Sequence, residues 1–293
     1  MFPQGAEKPL IDSLERLRLT THTSQADWLD LLQLHWDDYQ KLKAGEIGID
    51  ASVIERVTEH FQLSSQDFIE NKVDFKWLAQ SDLHGHSITP TPLRYTQAAY
   101  GRKRASINAV DFLERIGGWR LRYDLLESLS FPEAELQDPF GSISVQFMTD
   151  VCAYLNRRQF DKETLFAMGA DTYQATRHSL VGKIFSEMRT VPELYEHFFG
   201  DCMRLFEANC DYRLTRITAH EGTLEVRSNT GVAEQLGVKQ IGNAQLCTFK
   251  AGMIACIPQF LGRAQAEVKE TKCVHHGDHC CRFEFKFEST PLS

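Results

Sequence analysis

The stretch Glu267 to Phe287 reads EVKETKCVHHGDHCCRFEFKF, and its spacing decides how the second half of the chain is built. Two alternating runs flank the polar turn HHGDH, which predicts an antiparallel hairpin. Strand parity puts Ala264, Ala266, Val268 and Glu270 on one face and Gln265, Glu267 and Lys269 on the other. A carboxylate therefore continues an apolar face, and a buried carboxylate needs a cation or strong hydrogen bonds. Cys281 shares its face with Phe283, Phe285 and Phe287, so it too points inward. Cys273 has the wrong parity for a straight strand, which predicts a bulge or strand end. With Cys247 upstream, the set Cys247, Glu270, Cys273 and Cys281 supplies three thiols and a carboxylate, the donors of a tetrahedral zinc site. Four protein ligands leave no open position, so such an ion would be structural. Other readings stay open: Cys247 and Cys281 could be small buried apolar residues, and His275, His276 or His279 could replace a ligand. Cys280 offers a further thiolate whose parity points outward. Cys152, Cys202, Cys210 and Cys256 carry no assigned chemistry.

Working outward, the pattern from residue 151 mixes helices and strands. ETLFAMGADTYQATRHSLVGKIF and PELYEHFFGDCMRLFEA have helical periodicity, and YRLTRITAHEGTLEVRSN alternates around His220 and Gly222 as a hairpin. AQLCTFKAGMIACIPQFL is an apolar helix interrupted near Pro258. Together these predict an α+β domain over 151–293 with an antiparallel sheet.

Residues 76–150 read as a connecting region. SDLHGHSITPTPLRY, with Gly85 between His84 and His86, predicts an irregular segment with solvated histidines, although the pair could be half a metal site. The following stretch holds the chain's only concentrated positive charge, including Arg102, Lys103, Arg104, Arg120 and Arg122 among Tyr95, Tyr100, Trp119 and Tyr123. That mixture suits nucleic acid or an anionic ligand such as a nucleotide, or a basic surface that docks on the acidic N-terminal bundle of the same chain. INAVDFLERI predicts an amphipathic helix stopped by Gly117 and Gly118.

Residues 1–75 predict an all-α bundle of five short helices, with Ser24, Asp50 and Ser64 or Ser65 as N-caps and Gly45 as a stop. This segment holds 7 Lys/Arg against 14 Asp/Glu, whereas the remainder holds 25 against 26, so the chain's net charge of -8 belongs almost wholly to the bundle. The 293-residue chain has 42% hydrophobic residues and no run approaching the roughly 18 apolar residues of a spanning helix. Its N-terminus lacks the pattern of a secretory signal, and eight scattered cysteines fit reduced thiols. A cytoplasmic protein is expected, with no membrane partner. No nucleophile and base pair or cofactor loop stands out, so an enzyme is not expected.

The bundle resembles the helix-turn-helix domains of the phage Cro/repressor type: Gln25, Trp28, Leu29, Leu34, Tyr39, Leu42 and Gly45 fall in the matching register over residues 8–73. The resemblance implies DNA contacts from Gln25, Trp36, Asp37, Asp38, Gln40, Lys41 and Lys43. Gln33 stands where that family usually has glycine, and two carboxylates at the front of the recognition helix oppose phosphate binding. Residues 150–288 resemble the vinyl-reductase-type sensory domain, also the input domain of phenol-responsive activators, which implies a structural zinc on the Cys-Glu-Cys-Cys set. The effector pocket so implied holds His197, Phe198, Phe206 and Phe249, but no Trp follows Trp119. The joint reading is a ligand-responsive transcription regulator, homodimeric because operator symmetry favours two reading heads. The alternative is a signalling adaptor that does not bind DNA, whose acidic bundle contacts protein and whose basic middle segment binds an anionic ligand.

Overall fold

The computed structural model describes residues 7–78 and 90–288. They fall into two compact units, Met1–Thr89 and Pro90–Ser293.

The first unit is helical: α1 (Glu7–Thr20), α2 (Gln25–Leu32), α3 (Trp36–Ala44), α4 (Ala51–His60), α5 (Ser65–Ile69) and α6 (Phe75–Leu78). Its starts follow from local chemistry. The side chains of Ser24, Asp50 and Ser64 accept hydrogen bonds from the backbone amides of Asp27, Ser52 and Asp67, satisfying donors that a helix start leaves unpaired. Gly45 ends α3 at φ +73°, a conformation that glycine adopts without steric cost. Leu14, Leu17, Trp28, Leu32, Val57, Phe61 and Phe68 fill the core. Within it, Trp28 Nε1 donates to the Tyr39 hydroxyl, which donates to the buried carboxylate of Glu15. Phe75 and Leu78 are buried in the same core, so the unit continues past residue 75. His84, Gly85 and His86 lie outside the described residues.

The second unit holds α7 (Leu93–Thr96), β1 (Gly101–Arg102), α8 (Lys103–Leu129), β2 (Ser142–Ile143), α9 (Val145–Arg157), α10 (Lys162–Ala170), α11 (Thr172–Thr176) and α12 (Leu180–Ser186). It continues with α13 (Val191–His197), a π-helical turn at Phe198–Cys202, α14 (Met203–Phe206), β3 (Cys210–Ile217), β4 (Glu221–Ser228), α15 (Thr230–Gln235), α16 (Ala244–Ala255), β5 (Glu267–Lys272) and β6 (Cys281–Lys286). The last four strands form one antiparallel sheet in the order β3-β4-β6-β5. This is the expected mixed α+β architecture.

Two details differ from the sequence reading, each for a physical reason. Residues from 90 onward are not a connection, because Tyr95, Val110, Leu113 and Leu125 are buried in one core with Phe283 and Phe285. Cys280 does not point outward but is fully buried, since β6 begins only at Cys281 and strand parity does not reach it. Gly117 and Gly118 do end the first helical segment, as expected: Gly118 has non-helical backbone angles, φ +74° and ψ 176°, and a second segment carries α8 on to Leu129.

The close packing of α10 on α16 orders the interior. A Cβ at Gly252 would sit 1.9 Å from the Phe166 carbonyl oxygen, and one at Gly169 would sit 1.9 Å from that of Phe249. Only glycine at both positions lets the two backbones touch.

Candidate functional site

The four expected metal ligands converge. Cys247 comes from α16, Glu270 from β5, Cys273 from just beyond the end of β5, and Cys281 from the start of β6; their ligand atoms all lie within 4.8 Å of one another. The sulfur of Cys247 is 3.5 Å from that of Cys281 and 3.9 Å from that of Cys273. A metal about 2.3 Å from each of two tetrahedrally placed sulfurs would hold them about 3.8 Å apart. Glu270 Oε1 is buried with no hydrogen-bond partner, an arrangement that is costly unless a cation satisfies it. Burial pushes the Cys273 thiol up to about 12, whereas the hydrogen bond from Cys247 pulls Cys281 down to about 7. β5 and β6 shift register between Glu270 and Lys272, which is the irregularity that Cys273 required. His275 lines a small crevice beside Cys247 and Cys281 but is not one of the four.

A separate cavity of about 150 Å³ lies in the same unit, with a mostly apolar wall. Phe185, Phe198, Phe206, Phe249 and Phe260 line it with Met148, Met203 and Met253. Three of the four expected effector residues, Phe198, Phe206 and Phe249, are therefore in its wall. His197 is not: its Nε2 lies 3.3 Å from Cys202 Sγ.

The polar part of the wall was not anticipated. Glu207 Oε1 accepts from the backbone amides of Asn209 and Cys210, and its other oxygen accepts from the Tyr212 hydroxyl. Asn209 is fully buried with both side-chain polar atoms unpaired. Lys250 Nζ donates to Cys210 Sγ at 3.3 Å and lies over the Tyr212 ring. Its pKa stands above the usual lysine value: burial works against the charge, but the nearby Cys210, Tyr212 and Glu207 more than offset it. A lone cation within the apolar run of α16 was the signal that could have found this residue.

The basic stretch is mostly spent on structure. Arg122 is buried and donates to Asp111, Glu114 and Glu133, Lys103 pairs with Glu135, and Arg120 stacks on Trp119. Arg102 donates to the Phe140 carbonyl and Ser142. Arg104 alone of the five has no side-chain hydrogen bond or ion pair among the described residues, and burial lowers its pKa. Arg102 and Arg104 both line the cavity.

No family model and no curated protein matches the chain. Its similarity is to solved H-NOX structures. One is the H-NOX protein of S. oneidensis in the Fe(II)NO state, with 12% identity and a TM-score of 0.49, covering 64% of this chain and 99% of that one. Another is the unliganded Fe(II) H-NOX protein of K. algicida, with 9% identity and a TM-score of 0.48, covering 66% and 99%. A third is an oxygen-binding H-NOX domain related to soluble guanylate cyclases, with 12% identity and a TM-score of 0.45, covering 65% and 97%.

These findings correct both resemblances drawn from the sequence, because the neighbours are H-NOX domains and not Cro/repressor-type or vinyl-reductase-type proteins. What rested on those families falls with them: the DNA-binding transcription regulator, the homodimer set by operator symmetry, and zinc as the structural cofactor. Geometry agrees on the DNA face. Lys41 pairs with Asp38, and Lys43 pairs with Glu15 and lies over the Tyr39 ring, so the cations meant for phosphate already face carboxylates. Gln25, Trp36, Asp37 and Gln40 on α2 and α3 add no positive charge.

Heme figures in the H-NOX family, but the residues here do not fit it. Heme iron takes a histidine, cysteine or tyrosine ligand, or methionine with histidine. No histidine or cysteine lines the cavity, and Tyr212 is committed to Glu207. A cavity of about 150 Å³ is the size that admits one benzene ring.

Proposed function

We propose that Pro90–Ser293 is a sensory module that holds a small, mainly apolar ligand in its aromatic-lined cavity, and that the acidic helical unit is a protein-contact element for signalling. The supporting observation is the cavity itself: an apolar, ring-rich wall with a few polar groups converging on it is the usual form of a small-molecule site. The acidic charge of residues 1–75 and the internal pairing of Lys41 and Lys43 favour a protein partner over nucleic acid. The role is binding rather than catalysis, and eight free thiols suit a reducing, cytoplasmic setting.

Thermal melting against a panel of one-ring aromatic compounds tests this reading. A ligand present at about 100 times its Kd should add roughly 2.7 kcal/mol of stability, which is about 5–10 °C for a unit of this size. Val181 lines the cavity, and the cavity-filling Val181→Trp variant should abolish the rise. A rise that persists in this variant, or none across the panel, would reject the cavity as the ligand site.

We further propose that Cys247, Glu270, Cys273 and Cys281 hold a thiophilic metal ion as a clasp between α16 and the β5-β6 hairpin. Elemental analysis of purified protein should find close to one equivalent, lost in Cys273→Ser. Metal content that is negligible, or equal in the two proteins, would show the cluster to be ordinary buried thiols.

A further inference from the structure

We infer that the head group recognised in the cavity is a carboxylate, so that the ligand class is a one-ring aromatic monocarboxylic acid. This rests on the ligand-binding reading above and specifies its chemistry. Charge supplies the first reason. The ionisable lining comprises three cations, Arg102, Arg104 and Lys250, against one carboxylate, Glu207, and that carboxylate already accepts from two backbone amides and the Tyr212 hydroxyl.

The state of the cations supplies the second. Arg104 is partly buried and without a side-chain partner among the described residues. Lys250 has three N–H donors, yet its one hydrogen bond among the described residues goes to the Cys210 thiol, and it forms no ion pair there; the nearby Glu207 carboxylate is already engaged by two amides and a hydroxyl. Arg122, by contrast, is matched by three carboxylates. Charges withdrawn from water are ordinarily paired, so Arg104 without a partner among the described residues and Lys250 without a direct ion pair there describe, on one wall, half of a charge-assisted site. The amide of Asn209, unpaired in both directions, offers a further donor in the same wall.

Size and surface supply the third. Five phenylalanines and about 150 Å³ suit a single ring, and a ring bearing a carboxylate satisfies the apolar and the cationic walls together.

Calorimetric titration of the full chain with benzoate, benzamide and toluene tests the inference, beside Arg104→Gln and Lys250→Gln variants whose fold is checked by circular dichroism. Benzoate should bind at least tenfold more tightly than benzamide. Arg104→Gln should remove at least tenfold of benzoate affinity while leaving benzamide unchanged, and Lys250→Gln should do the same. Arg104 is not part of the core, so its variant remains informative if Lys250→Gln fails to fold. If toluene or benzamide binds as well as benzoate, the cavity reading stands and the carboxylate inference is overturned. If none of the three binds, the cavity reading itself fails.

Discussion

Gly252→Ala is expected to be among the most damaging single substitutions in the chain. The added methyl would meet the Phe166 carbonyl oxygen at 1.9 Å and the Ala170 amide nitrogen at 2.8 Å. Both obstacles are backbone atoms of α10, so no side-chain rotation can relieve them and the two helices must part. Overpacking of a well-packed core ordinarily costs about 1–3 kcal/mol, with larger values where the backbone must shift. A loss of about 3 kcal/mol corresponds to a melting temperature lower by roughly 6–12 °C in a unit of this size. Gly231→Ala is the matched control, since its Cβ would meet only the Asn229 side-chain oxygen at an ordinary 3.5 Å. Melting curves of the two variants should separate widely; coincident curves would show that α10 and α16 are not in backbone contact.

Arg122→Met is expected to be comparably severe. Its guanidinium is buried and donates to Asp111, Glu114 and Glu133, which hold α8 across its kink and tie it to the turn beyond. Removing one member of a buried ion cluster leaves the others uncompensated, at a cost of about 3–5 kcal/mol. The three carboxylates keep some solvent contact, so the low end of that range, about 3 kcal/mol, is expected. Urea unfolding measures it directly: the midpoint should fall with the slope unchanged. An Arg122→Lys variant should recover only part of the loss, because an ammonium cannot reproduce the forked contact with Glu133. Wild-type stability in the methionine variant would mean that the cluster is a surface network of little energetic weight.

Much of the architecture was legible in the sequence, and what was not has identifiable causes. Strand parity placed Glu270 and Cys281 on the inward face, because alternation is a local property that survives tertiary context. Parity failed for Cys280, which precedes the strand and is buried by its surroundings. The stretch from Arg94 to Tyr123 looked like surface because its charges were counted without their partners. Arg122 is interior because Asp111, Glu114 and Glu133, 11, 8 and 11 residues away, reach it only once α8 kinks. Phe198, Phe206 and Phe249 could be named as pocket residues only through the vinyl-reductase resemblance, which also names His197, and His197 is not in the wall. Asn209 and Glu207 could not, since their part in the wall depends on how β3 and the preceding turn approach β1. The families suggested by helix register and cysteine spacing did not survive comparison, because short amphipathic helices and thiol hairpins recur in unrelated settings.

The claim that the cavity of Pro90–Ser293 takes a one-ring ligand can be tested most directly by locating a heavy-atom probe. Crystals of the full chain exposed to bromobenzene should give an anomalous bromine peak in the space bounded by Phe185, Phe198 and Phe249. The peak should be absent from Val181→Trp crystals treated identically. A peak confined to any other part of the molecule, or the same cavity peak in the filled variant, would contradict the assignment.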